Sequence, residues 1–375
     1  MKKSLKNSEA IAICSILAFI VAICALTFVF VLDDVFEEVG FLISLLIKMV
    51  IFVIAFSVQL IIHEFGHLVA GLVSGYKFGS FRIGSFIFVK DNGKIKLKFQ
   101  SVAGTGGQCL MLPPRPSDGK IPVILYNLGG VLMNAISIPV CVILAYICLD
   151  LAVFYTFFVF MILSSVIVIL TNGLPLKMGM MNNDGSNACE LKNNEEAMLS
   201  FYNQFMILDC ARNGIRLKDM PNEYFKMPSK EGMQNSISAS AAVFCENRLF
   251  DAHKFDEAAV IINEFLHSKS ALVGIYKQNF VADKIVIELF SGRDEIAKNL
   301  YFERGYQSFS KQMKTSLNII RTEYAVALLC DKNEDRANEV LKLFDKCAKK
   351  HPYQIDVDSE REILSLIDAH YKKFG

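Results

Sequence analysis

Residues 11–32 carry no charged side chain at all, and three further apolar runs follow at 41–74, 121–149 and 151–170. Crossing the hydrocarbon of a bilayer as a helix takes about 20 apolar residues, whereas the apolar core of a cleaved signal peptide is about 7 to 15 residues long. Each run, the first included, is therefore expected to span a membrane. Inside such a layer only a helix satisfies its own amides, so each span is expected to be helical. Asp150 alone separates the third and fourth runs, which makes them a tight helical hairpin.

The rest of the chain is of a different kind. Residues 1–185 hold 10 acids and 13 bases, while 186–375 hold 28 and 26, so the charge lies in the second half. The expected division is a membrane domain at 1–185 and a helical domain at 186–375. A net charge of +1 without any cluster of Lys and Arg excludes a nucleic-acid partner. The 10 cysteines are scattered with no CxxC pair, which argues against disulfides and against a cysteine zinc site.

Loop charges set the expected orientation. The segment between the first two runs has Asp33, Asp34, Glu37 and Glu38 and no base, whereas residues 76–120 have Lys77, Arg82, Lys90, Lys94, Lys96, Lys98, Arg115 and Lys120 against Asp91 and Asp118. Positive loops stay in the cytoplasm. A multi-pass protein of the cell membrane follows, with both termini and the 76–120 loop cytosolic. Lys48, near the outer end of the second span, is expected to reach out to the interface.

Within the 76–120 loop, Phe86–Lys90 and Lys94–Phe99 flank Asn92-Gly93 and read as a β-hairpin. Its edge can take a substrate as an added strand, or the hairpin lies on lipid headgroups through its lysines. Gly104-Thr105-Gly106-Gly107 lacks the lysine and helix of a phosphate loop and reads as a tight turn ahead of Pro113 and Pro114.

The chemistry sits inside the second apolar run, where His63-Glu64-Phe65-Gly66-His67 follows the uncharged stretch 49–62. On a helix, positions i and i+4 share a face about 6 Å apart, so two imidazoles can reach one Zn²⁺ while Glu64 lies beside its open position. Ionisable groups are costly in a span and mark function. The competing reading is a buried hydrogen-bonded cluster, or a proton path in a transporter.

A catalytic zinc takes a third protein ligand. The motif lies eight residues before Gly75, at the cytosolic end, which leaves Asp184 as the candidate carboxylate, beyond the helix-breaking Thr171-Asn172-Gly173-Leu174-Pro175. Asp184 can equally cap a helix that begins near Ser186. In the third run, Asn127 and Asn134 are seven apart and share a face; either a ligand contact or a helix-to-helix hydrogen bond fits them.

Three segments together resemble the site-2 proteases, a family of intramembrane zinc metalloproteases. His63–His67 is similar to that family's first motif, Gly129–Asn134 to its glycine-and-asparagine motif, and Asn172–Pro175 followed by Asn183-Asp184-Gly185 to its closing motif. The resemblance covers about residues 41–190. Here Leu176 to Asn183 intervene before the aspartate, a longer loop than the commoner pattern has. The resemblance implies a metalloendopeptidase that cuts a peptide bond in or near the transmembrane segment of a membrane-associated protein or peptide. It implies zinc held by His63, His67 and Asp184, Glu64 as general base and acid, and Asn134 and Asn172 as substrate-positioning groups.

The second half reads as amphipathic helices. Phe255–Ala258, Asp294–Ala297 and Glu334–Ala337 align with alanines 39 and 40 residues apart, a spacing that resembles a degenerate tetratricopeptide-type array. The expected fold is thus an all-α polytopic membrane protein of four transmembrane helices with a small cytosolic β-hairpin region, joined to a C-terminal helical, tetratricopeptide-like domain that can recruit a protein partner. The alternatives to a protease are a non-catalytic membrane scaffold built on that domain and a proton-coupled transporter.

Overall fold

The computed structural model describes residues 40–91, 94–99, 106–117, 120–175 and 182–374, with isolated positions between 18 and 27. The first expected span, 11–32, lies almost wholly outside the described residues. The other three runs form α1 (Phe41–Val73), α2 (Val123–Ile147) and α3 (Ala152–Val168), the last continued by a π turn at Ile169–Gly173. All three are long and apolar enough to cross a membrane.

On α1, Ser44, Lys48, Ile51, Ala55, Gln59, His63, Gly66, His67 and Ala70 are buried, a stripe that recurs every three or four residues. Phe41, Leu42, Leu46, Val50 and Val53 point outward. Lys48 does not reach outward as expected. It falls on the stripe, four residues from Ser44, and is only 4% exposed. α1 meets α2 at two glycines: a Cβ on Gly66 would lie 2.6 Å from the Met133 Cβ and closer still to the Gly129 carbonyl. Small residues let two backbones approach in this way.

The 76–120 segment folds into a four-stranded antiparallel sheet, with β1 at Lys77–Ile83, β2 at Phe86–Asp91, β3 at Lys94–Phe99 and β4 at Gly107–Leu112, in the order β3-β2-β1-β4. The hairpin is as expected, with Phe86 opposite Phe99 and Phe88 opposite Leu97. β1 and β4 were not legible in the sequence. Gly79 and a register shift between Phe78 and Ser80 interrupt the alternation of β1, and Gly107, read as part of a turn, opens β4. Phe86, Phe88, Ile95, Leu97 and Phe99 expose an apolar face. On the other face Lys98 Nζ donates to the Pro352 carbonyl at 2.5 Å, tying the sheet to the C-terminal half.

That half consists of α4 (Asp184–Leu191), α5 (Glu195–Arg212), α6 (Ser236–Asp251), α7 (Phe255–His267), α8 (Gly274–Phe290), α9 (Asp294–Phe302), α10 (Arg304–Gln312), α11 (Leu317–Ala325, continued by a π turn to Cys330), α12 (Glu334–Ala348) and α13 (Gln354–Phe374). Three helical hairpins, α6/α7, α8/α9 and α11/α12, each turn through three residues whose middle one is left-handed: His253 (φ 59°), Gly292 (φ 67°) and Lys332 (φ 48°). The aligned alanines Ala258, Ala297 and Ala337 each occupy the fourth position of the second helix and are at most 2% exposed. Their small side chains admit the neighbouring helix into one continuous core.

A second core joins the halves. Tyr76, Met111 and Tyr126 pack with Leu191, Ala197, Phe201, Phe205 and Ile237. The chain near residue 185 therefore runs through a packed junction rather than a linker.

Candidate metal centre

His63 and His67 lie one turn apart on α1, and Asp184 is the first residue of α4. Asp184 Oδ2 is 3.0 Å from His63 Nε2 and 3.3 Å from His67 Nε2, and the two Nε2 atoms are 3.2 Å apart. Among the described residues these three are the one group of His, Cys, Asp or Glu side chains, three or more strong, whose donor atoms converge.

Asp184 reaches the histidines because it does not cap α4. Asn183 is the cap: its Oδ1 accepts from Ser186 N at 2.9 Å, while its Nδ2 donates to the Thr171 and Leu174 carbonyls at 2.8 and 2.5 Å. Gly185 completes the arrangement. A Cβ there would run into the Gly173 carbonyl and lie 3.0 Å from Leu174 C, so only glycine lets the first turn of α4 close on the π turn. The sequence expectation of a helix starting near Ser186 is thus moved back by two residues.

Hydrogen bonds on the far side of each ring settle which nitrogens face inward. His67 Nδ1 is 2.8 Å from the Tyr126 carbonyl, which can only accept, so Nδ1 carries the hydrogen. His63 Nδ1 is 2.7 Å from Asn134 Oδ1. The Asn134 amide is oriented in turn, because its Nδ2 donates to Gln59 Oε1 at 2.8 Å, and Gln59 Nε2 donates to the Met161 carbonyl at 3.2 Å. Both Nε2 atoms then present lone pairs to the point where Asp184 presents a carboxylate oxygen. The three atoms lie 3.0 to 3.3 Å apart, close enough to share one cation. Tetrahedral Zn²⁺, with bonds of about 2.0–2.1 Å, sets its ligand atoms about 3.3 Å apart, so the residues present fit that ion. Gly130 keeps the space open: a Cβ on it would lie 2.6 Å from both Nε2 atoms.

Glu64 is 9% exposed and faces the sheet. A Cβ on Gly107 would lie 2.6 Å from Glu64 Oε1, so the start of β4 abuts the carboxylate. Arg82 of β1, also buried, donates to the Gly107 carbonyl at 3.2 Å. The edge beside the candidate centre is therefore β4. The free edge of the expected hairpin, one of the two uses of which was to take an added strand, is that of β3, and it is separated from β4 by β2 and β1.

Asn134 is gathered into the centre, and its amide is engaged on both sides. Asn172 is not brought to the histidines: its Nδ2 turns back to the Val168 carbonyl at 3.3 Å on its own helix. Asn127 likewise donates to Val123 O at 2.8 Å, one turn back. Gln59 and Tyr126 were missed in the sequence, and Asn183 and Gly130 stood in its motifs without a role. Gln59 had one legible signal, since an amide in an apolar run, four residues before His63, falls on the same helix face. Comparison with protein-family models, curated proteins and solved structures finds no significant match.

Proposed function

We propose that this chain is an intramembrane zinc metalloendopeptidase of the site-2 protease type, hydrolysing a peptide bond in or near the transmembrane segment of a membrane-associated polypeptide. One observation carries the reading: three oriented lone-pair donors, His63, His67 and Asp184, converge at tetrahedral spacing beside a buried glutamate. Zinc held by them supplies Lewis acidity and lowers the pKa of water towards neutrality.

The chain's own groups do the rest. Glu64 takes the proton of the attacking water and hands it to the leaving nitrogen, the work of a positioned carboxylate. Asn134 and the Tyr126 carbonyl hold the two imidazoles in one tautomer, as second-layer partners of metal ligands do. A transmembrane helix buries its amides in hydrogen bonds, so a substrate must be unwound; pairing with β4 near Gly107 holds it extended next to Glu64. Positive charge in the 76–120 loop favours a cytosolic centre. The helical hairpins, with their tetratricopeptide-like spacing, serve to recruit a protein partner.

The test uses the purified full chain and a panel of fluorogenic single-span peptides in detergent. Glu64→Gln should keep about one zinc per chain and lose cleavage by at least about 10³-fold. Cleavage that survives Glu64→Gln, or a chain that binds no zinc, overturns the reading. A scaffold or a proton transporter predicts no cleavage by the unsubstituted chain.

A further inference from the structure

We propose that Asn235 and Ser236, at the start of α6, are positioning residues for Asp184, so that the C-terminal domain sets the metal affinity of the membrane domain. The proposal rests on the metal reading above and adds a control element to it. α4 spans eight residues, too few for a helix to hold its place unaided. Its position is therefore decided by whatever grips its ends.

Two adjacent residues grip both. Ahead of Asp184, Asn182 Nδ2 donates to Ser236 Oγ at 2.6 Å. At the far end, Asn235 Nδ2 donates to the Glu190 carbonyl at 2.7 Å, and Ser236 N donates to Glu190 Oε2 at 3.0 Å. Asn235 is committed to its own helix as well, since its Oδ1 accepts from Ile237 N and Ser238 N, each at 3.0 Å. A movement of α6 is thus passed directly to α4.

At 100° per residue, Ser186, Cys189 and Glu190 lie across the helix from Asp184. All three border an open cavity of about 400 Å³, together with Asn193, Asn194 and Asn235. Together with the Asn183 bonds to the Thr171 and Leu174 carbonyls, the bonds to residues 235 and 236 hold α4 against the histidines. Metal–ligand distances tolerate only about 0.2 Å, so a small displacement of α6 suffices to loosen Asp184. By linkage, a partner that shifts α6 and the metal that holds Asp184 must affect each other's binding equally.

Asn235→Asp keeps the capping oxygen and removes the donor to Glu190, while Ser236→Ala removes the acceptor for Asn182. Zinc affinity of the full chain is read by competition with a chromogenic chelator, with thermal unfolding as the check on folding. The double variant should bind zinc about 10- to 100-fold more weakly. In an Asp184→Asn background the same pair should change affinity less than twofold, because the effect runs through that carboxylate. Ser236→Thr, which retains the hydroxyl, should stay within threefold of the unsubstituted chain. If the double variant does not fold, Ser236→Ala alone should still weaken binding about threefold or more. Unchanged affinity, or equal weakening with and without Asp184, overturns the proposal. Absence of zinc from the unsubstituted chain refutes the underlying metal reading instead.

Discussion

Tyr126 holds His67 with its backbone and the edge strand with its side chain. Its carbonyl lies 2.8 Å from His67 Nδ1, while its hydroxyl donates to the Cys109 carbonyl of β4 at 2.7 Å. One residue thereby ties a candidate ligand to the strand beside Glu64. Tyr126→Phe keeps the carbonyl and removes the second bond. Zinc content should stay unchanged, while cleavage falls about tenfold, as loss of one buried hydrogen bond of about 1–1.5 kcal/mol implies. Zinc analysis paired with a rate measurement checks it; a loss of metal would show that the two links are not separable.

Asn134 and Gln59 are both fully buried, and Asn134 donates its amide hydrogens to Gln59 while its oxygen faces His63. Asn134→Leu should weaken zinc about 10- to 100-fold. Gln59→Leu should weaken it less, because Asn134 Nδ2 keeps the Gln59 main-chain carbonyl at 3.2 Å. Equilibrium dialysis against zinc decides the order, and an inverted order would disprove the relay.

Gly130 has a steric role that no other residue can fill. Gly130→Ala should abolish stoichiometric zinc binding, because the new methyl would lie 2.6 Å from both ring nitrogens, while the spans still assemble. Full zinc occupancy in the alanine variant would refute this.

Gly66 and Gly129 form the α1/α2 crossing. Gly66→Ala should push α1 off α2 and cost about 1–3 kcal/mol, as overpacking does. Unfolding in a denaturing detergent measures it, and an unchanged midpoint would mean that the two backbones do not cross so closely.

In the C-terminal domain Arg321 is buried among Asp283, Glu246 and Glu360, donates to Asp283 and stacks on the Phe250 ring. Burial pushes the Glu360 carboxyl up from 4.5 to about 7; Arg321 opposes this, while Asp283, Asp356 and Asp251 add to it. A carboxyl raised on folding binds its proton more tightly in the folded state. Its contribution is whole below about pH 4.5 and is lost as pH rises through about 7. Glu360→Gln should therefore stabilise the domain at pH 8 by on the order of 2 kcal/mol and flatten its stability profile between pH 5 and 7. Thermal melts across that range test it; parallel profiles for the two proteins would rule out Glu360 as the source.

Three of the four expected apolar helices, the hairpin at 86–99 and the pairing of His63 with His67 were all legible in the residues, because each depends on periodicity within one element. Burial of Lys48 was not, since it depends on how α1 packs against the rest of the chain. β1 and β4 escaped notice because a bulge and glycines erase a period-two pattern, while cross-strand pairing preserves the strand. Asp184 stood between ligand and helix cap; the choice turned on Asn183, whose amide bonds to carbonyls 9 and 12 residues earlier.

The sequence by itself determined the three long apolar helices of the first half and the His63/His67 pair on one of them, because hydropathy and a 3.6-residue period are properties of a single segment. Only the tertiary structure decided that Asp184 meets the imidazoles, that Asn134, Gln59 and Tyr126 orient them, and that β4 rather than the hairpin edge lies beside Glu64. Those are contacts between segments 43 to 121 residues apart, set by how closely glycines let backbones approach and by which hydrogen bonds remain to be satisfied once water is excluded.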